Sequence, residues 1–132
     1  MIRIILPGKV VPKARPRFSS RGHVHMPPKY AEWKQNAVIN LVNTNFVTVG
    51  KLCLEITFIN AIRGNADCDN AAGSIMDALV ESGVLVGDSV ATIGKLVVEN
   101  YQEKKPKIKP QTLIVINNNY EANIDKIREF LI

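Results

Sequence analysis

Five of the seven prolines in this chain fall within residues 7–28: Pro7, Pro12, Pro16, Pro27 and Pro28. Each lacks a backbone donor and fixes its own φ, so the stretch cannot be a helix or an inner sheet strand. It must be an extended arm or a long, irregular hairpin. Segments of this length without regular structure are uncommon in a compact domain and are often functional. The 132 residues in total allow one domain, or one domain carrying that arm.

The patterning outside the arm predicts an α+β fold. Ile2 to Leu6 reads as a strand closed by Pro7-Gly8. Pro28 to about Asn43 reads as a helix, with proline tolerated in its first turn and Tyr30, Trp33, Ala37, Val38 and Leu41 on one apolar face. Residues 51–59 alternate, placing Leu52, Leu54, Ile56 and Phe58 on one side. Asn70 to about Ser82 reads as a second helix, capped by Asp69 or Asn70 and closed by Gly83. Val90–Glu99 is a further strand with a weak point or bulge at Gly94, and Leu113–Ile116 is a β-branched strand. Glu121–Leu131 is a terminal helix with Ile124, Ile127, Phe130 and Leu131 on one side. The expected architecture is a single small domain, residues 1–132. It is a mixed β-sheet with helices packed on it, plus an extended basic arm at 7–28.

Charge divides the chain. Residues 1–34 carry eight basic side chains against Glu32 alone, whereas residues 35–100 carry three against seven acidic ones. A basic arm points to a polyanionic partner. An acidic cluster inside a basic protein needs its own reason, and a divalent cation is one. No apolar run approaches the roughly 20 residues of a bilayer span. The N-terminal apolar stretch is too short for a signal peptide, and two cysteines make no disulfide framework. A cytoplasmic protein without a membrane partner is expected.

The acidic segment is Arg63-Gly64-Asn65-Ala66-Asp67-Cys68-Asp69-Asn70. On an extended backbone Asp67 and Asp69 point the same way and repel, and Cys68 turns away into packing. A hard cation such as Mg²⁺ suits that dense oxygen donation. The chain leaves along the second helix and returns through Gly83–Gly87, which is expected to bring Asp88 back beside Asp67 and Asp69. Asp77, two turns into the helix, is a weaker candidate. Alternatively, the acids are helix caps and salt-bridge partners that bind nothing. His23 and His25 have no acid or cysteine close in sequence to finish a zinc site. Trp33 reads as core or as a dimer interface.

Two blocks together resemble the RusA-type Holliday junction resolvases. The first runs Leu6-Pro7-Gly8-Lys9-Val10-Val11-Pro12-Lys13-Ala14-Arg15-Pro16-Arg17-Phe18, then Gly22 and Pro27-Pro28-Lys29-Tyr30. The second is Asp67-Cys68-Asp69-Asn70, then Asp77-Ala78-Leu79 and Gly87-Asp88-Ser89. The resemblance implies a homodimeric, Mg²⁺-dependent endonuclease (Mn²⁺ serving as a substitute) that resolves four-way DNA junctions by paired symmetric cuts in recombination and repair. It also implies a bacterial or prophage origin and no organic cofactor. By position, Asp67, Asp69 and Asp88 fall on the catalytic, metal-binding carboxylates. Lys13, Arg15, Arg17, Arg21 and Lys29 are the expected DNA contacts, with Lys104, Lys105, Lys107 and Lys109 as a second patch. Phe18 is a candidate wedge at the crossover.

Two departures stand out. The family's lysine, one turn into the helix, is Gly73 here, and its paired acids are Gly87-Asp88. A catalytically weak or inactive junction-binding protein of the same fold is therefore the alternative, and a general nucleic-acid-binding module is a third reading. Activity is then expected to be weak, supplied by another cation such as Lys95, or absent.

Overall fold

A computed structural model of the chain describes residues 1–13, 17–18, 24–25, 27–44 and 50–131, with backbone alone at 17–18 and 24–25. In chain order the elements are β1 (Ile2–Pro7), β2 (Arg17–Phe18), β3 (Val24–His25), α1 (Pro28–Leu41), β4 (Leu52–Ile59), α2 (Cys68–Glu81), β5 (Ile93–Tyr101), β6 (Gln111–Asn117) and α3 (Ile124–Phe130). The main sheet has the order β1-β6-β4-β5. β4 and β5 are parallel, while β6 runs antiparallel to both β4 and β1. The fold is the expected α+β domain with a mixed sheet. Within the arm, β2 and β3 pair as a short antiparallel ladder.

β4 organises the core. Leu52, Leu54, Ile56 and Phe58 are all fully buried, as the alternation predicts. α1 contributes Tyr30, Ala37 and Leu41 to the interior, and α2 contributes Ala71, Ala72, Ile75, Ala78 and Leu79. Because β4 and β5 are parallel, their connection must cross from one end of the sheet to the other, and α2 is that crossover. Gly83, at φ +86°, closes the helix, and its amide donates to Val80 O.

The sheet carries one irregularity. Leu52 pairs with Ile93 and Cys53 with Lys95, so Gly94 is the extra residue of a bulge. A Cβ at Gly94 would lie 2.6 Å from the Tyr120 ring, so the bulge admits a close ring approach that only glycine allows.

Four expectations need correction. α2 starts at Cys68 rather than Asn70, because Asp67 (ψ 131°) supplies the extended residue at the N-cap. Cys68 is exposed rather than packed, since the helical turn carries it to the surface. β5 starts at Ile93 rather than Val90, and Val90 is 84% exposed in the preceding loop. The apolar side of α3 is not packed: the helix buries no residue, and Phe130 is 80% exposed. Asn123 nevertheless caps α3, accepting from Lys126 N at 3.0 Å.

Gly94→Ala is expected to cost about 1–3 kcal/mol in urea unfolding, through the clash with Tyr120. The same substitution made in a Tyr120→Ala background should be nearly neutral. Equal costs in both backgrounds would place the strain elsewhere.

Candidate active site

Asp67 and Asp69 sit at the start of α2, where the chain leaves the carboxyl end of β4. The connecting loop is anchored by Ala61 and Ile62, both buried, and then surfaces at Arg63. Both carboxylates are exposed. Asn70 joins them: its side-chain amide donates to Asp67 Oδ2 at 3.2 Å, and its backbone amide donates to Asp69 Oδ1 at 2.9 Å. Asp67 makes no side-chain capping bond to the backbone of α2, and among the described residues its carboxylate is held by the Asn70 side chain alone. Among the described residues neither acid is in an ion pair. The N-terminal partial positive charge of α2 favours both. Asp69 serves a first-turn amide of α2, so a capping role for this acid stands beside the metal-binding reading, whereas a salt-bridge role has no partner among the described residues.

Asp88 is elsewhere. The Gly87 position lies beside the Thr92 hydroxyl, and Thr92 O accepts from Leu52 N at the first residue of β4. Asp88 therefore sits at the amino end of β4, whereas Asp67 follows its carboxyl end. α2 separates them by 14 residues, about 20 Å along its axis. Among the described residues no three His, Cys, Asp or Glu side chains come together in a way that could hold a metal ion. The expected return of Asp88 to its two companions does not occur within one chain, because a parallel crossover forces the helix to end at the far side of the sheet.

Asp77 has a different occupation. It accepts from the Tyr30 hydroxyl at 2.5 Å and pairs with Lys13 Nζ at 3.2 Å. Burial and the Asp77 carboxylate raise the pKa of the Tyr30 hydroxyl above its ordinary value. The Tyr30 ring also stacks on Trp33, with centroids 6.1 Å apart. Asp77 thus ties α1, α2 and the root of the arm together.

That root is stitched down residue by residue. Gly8 N donates to Pro110 O, Val10 N to Ala61 O, and Lys13 N to Asn70 O. Ser74, fully buried, donates its hydroxyl to Val11 O at 2.7 Å. Lys13 is thereby led across α2 at Gly73, where a Cβ would meet Lys13 Cδ at 3.5 Å. The side chain missing from position 73 is replaced in space by the stem of a lysine from the arm. The sequence offers Lys95 as a compensating cation and gives no sign that Lys13, an expected DNA contact, lies over position 73.

Lys29 is exposed on the first turn of α1. Arg15, Arg21, His23 and the side chains of Arg17, Phe18 and His25 lie outside the described residues. The lysines at 104, 105, 107 and 109 are all exposed on the β5–β6 loop. Glu103 holds that loop in shape, accepting from Asn60 Nδ2 and from the amides of Ile108 and Lys107. The same bonds, that from Asn60 foremost, hold its carboxyl below its ordinary pKa. Asn60 adopts φ +51°, and its Oδ1 accepts from Glu103 N in return.

A family model for the endodeoxyribonuclease RusA matches residues 7–111. The chain belongs to the RusA endodeoxyribonuclease family. Members are Holliday junction resolvases, which hydrolyse phosphodiester bonds in branched DNA. The match covers both the arm and the acidic segment. A search of curated proteins gives no match. Among the described residues no helix is long and apolar enough to cross a membrane.

Gly73→Ala tests how closely Lys13 is packed over α2. The 3.5 Å approach is ordinary van der Waals contact. The substitution is therefore expected to add about 0.5–1 kcal/mol of stability, the usual gain in a helix interior. Thermal unfolding checks this, and a fall in Tm would mean that Lys13 is held too tightly to yield.

Proposed function

We propose that this RusA-family chain is a Mg²⁺-dependent nuclease that cuts four-way junctions in symmetric pairs, acting as a homodimer. The observation that carries the reading is the exposed Asp67–Asp69 pair, bridged by Asn70 and free of ion pairs among the described residues. Its hard oxygen donors have the chemistry that Mg²⁺ or Mn²⁺ prefers, but two carboxylates are a sparse donor set. Asp88 is the third donor by family position, and it stands at the other end of the sheet.

A second copy of this chain answers that shortfall. Asp88 from one subunit is then free to approach Asp67 and Asp69 of its partner, and a two-fold axis generates two identical sites. The same two-fold supplies the paired cuts that a junction of approximate two-fold symmetry requires. A divalent cation held there supplies Lewis-acid stabilisation of the reacting phosphate. Asp67 and Asp69 would hold it, and Asn70 bonds to both carboxylates and orients them. Lys13 is placed to take a phosphate oxygen, its stem lying over Gly73 and its ammonium kept in reach by Asp77. Lys29 and the lysines of the β5–β6 loop hold flanking phosphates, which makes binding strongly salt-dependent.

The decisive assay uses an end-labelled synthetic four-way junction, with linear duplex as control. Paired cuts are expected with Mg²⁺, and none with EDTA or with Asp69→Asn. Lys13→Met should lower cleavage more than junction binding. A protein that retards the junction without cutting it would instead be the inert binder that Gly73 recommends.

Mixing variants tests the shared site. Asp69→Asn and Asp88→Asn are each expected to be inactive alone. Mixed under subunit exchange, they should recover single-strand nicking, because one of the two sites in each mixed dimer regains every acid. If all three acids act within one chain, the mixture will stay as inactive as its parents.

A further inference from the structure

An open groove of about 950 Å³ runs between α1, the stitched root of the arm and the loop that leads from β4 to α2. Its far wall is the β5–β6 loop, through Gln102, Pro106 and Pro110. It ends at Gly64–Ala66, immediately before Asp67. The groove and the acidic pair are therefore at the same end of the sheet.

Three kinds of chemistry meet in it. Lys9, Lys29 and Arg63 line it against Glu32 as the one acid, and among the described residues none of the three cations is in an ion pair. The four exposed lysines of the β5–β6 loop extend the same sign beyond the rim. Trp33 is half-buried, stacked on Tyr30, and also lines the groove. The amide side chains of Asn36 and Asn65 add hydrogen-bonding capacity.

An aromatic ring between cations is what an unstacked nucleotide strand requires: phosphates on the rim and a base against the ring. A duplex keeps its bases stacked inward and has no use for Trp33. The volume is at the upper end of small-molecule sites, enough for a short run of nucleotides. We propose that this groove receives a short unpaired DNA strand, with a base stacked on Trp33 and phosphates held by Lys9, Lys29 and Arg63, and leads it toward Asp67 and Asp69. What that strand is attached to rests on the junction-nuclease reading. The groove itself is tested without cleavage.

Trp33 is the sole tryptophan of the chain, so intrinsic fluorescence reports on the groove directly. The full-length protein is titrated in EDTA with short oligothymidylate and with blunt duplex of equal length, binding being followed in parallel by anisotropy of labelled DNA. Saturable quenching by the single strand is expected, with clearly weaker quenching by duplex. Arg63→Gln and Lys29→Gln, both at exposed positions, should each weaken single-strand binding severalfold. Trp33→Ala should weaken it by about five- to a hundredfold, the range for one base stack. Absence of oligothymidylate binding, bound oligothymidylate that leaves Trp33 fluorescence unchanged, equal quenching by duplex, or unchanged affinity in Arg63→Gln would each overturn the proposal. Quenching in a protein that never cuts a junction would overturn the nuclease reading alone.

Discussion

The parallel pairing of β4 with β5 is the constraint from which the rest of the structure follows. Two parallel neighbours cannot be joined by a tight turn, so the chain must cross the sheet between them. α2 makes that crossing, and its Ala71, Ala72 and Ala78 are buried in the same core cluster as the inward row of β4. Every acidic residue of interest is then distributed by this one connection. Asp67 and Asp69 go to the end where α2 begins, Asp77 to its middle and Asp88 to the loop beyond its end. The basic elements are sorted as well. The arm root, the start of α1 and the β5–β6 loop all gather at the end where α2 begins.

The elements were legible in the sequence where a single periodicity governs them. The β4 alternation, the α1 face and the Gly83 stop all rest on local patterns that tertiary contacts reinforce. The bulge at Gly94 was legible too, because a glycine inside a strand usually has a packing reason, which here is Tyr120. The start of α2 was misjudged by two residues, and that small shift matters. It moves Asp69 from an extended backbone into a helical turn, so the two carboxylates are related through Asn70 rather than by strand alternation. It also turns Cys68 outward. The placement of Asp88 was misjudged for a topological reason. Sequence alone does not say whether the strands on either side of a helix are parallel, and only an antiparallel arrangement would have allowed the return that was expected.

The arm root shows what a one-dimensional motif conceals. Pro12 and Lys13 read as part of a basic, proline-punctuated segment made for DNA. In space they are also structural. Val11 O and Lys13 N are bonded to α2, and the Lys13 ammonium is shared with an acid that also takes the Tyr30 hydroxyl. The glycine at position 73 looks like a loss when helix residues are compared one by one. Seen from the arm it is a vacancy used by Lys13, whose stem runs over it. A helical side chain and an arm side chain can bring charge to the same patch of surface, and no spacing rule within one helix would reveal the second route.

Electrostatics sets the terms on which such a face can work. Asp67 and Asp69 stand beside surfaces rich in lysine and arginine without being paired to them among the described residues. A DNA strand drawn in by the cations, as proposed, would meet two negative charges without an ion-pair partner among the described residues at the point where the groove ends. That repulsion is unfavourable unless something positive intervenes, and few side chains are placed to do so. Lys13 is one, although Asp77 already claims part of its charge. Any cation that offsets the repulsion binds more tightly when DNA is present, and DNA binds more tightly when that cation is present, since the coupling is reciprocal. If the proposed cation and strand bind there, an acid pair without ion-pair partners among the described residues at the end of a basic groove would couple the two events, while the basic walls alone would suffice for the first encounter with DNA.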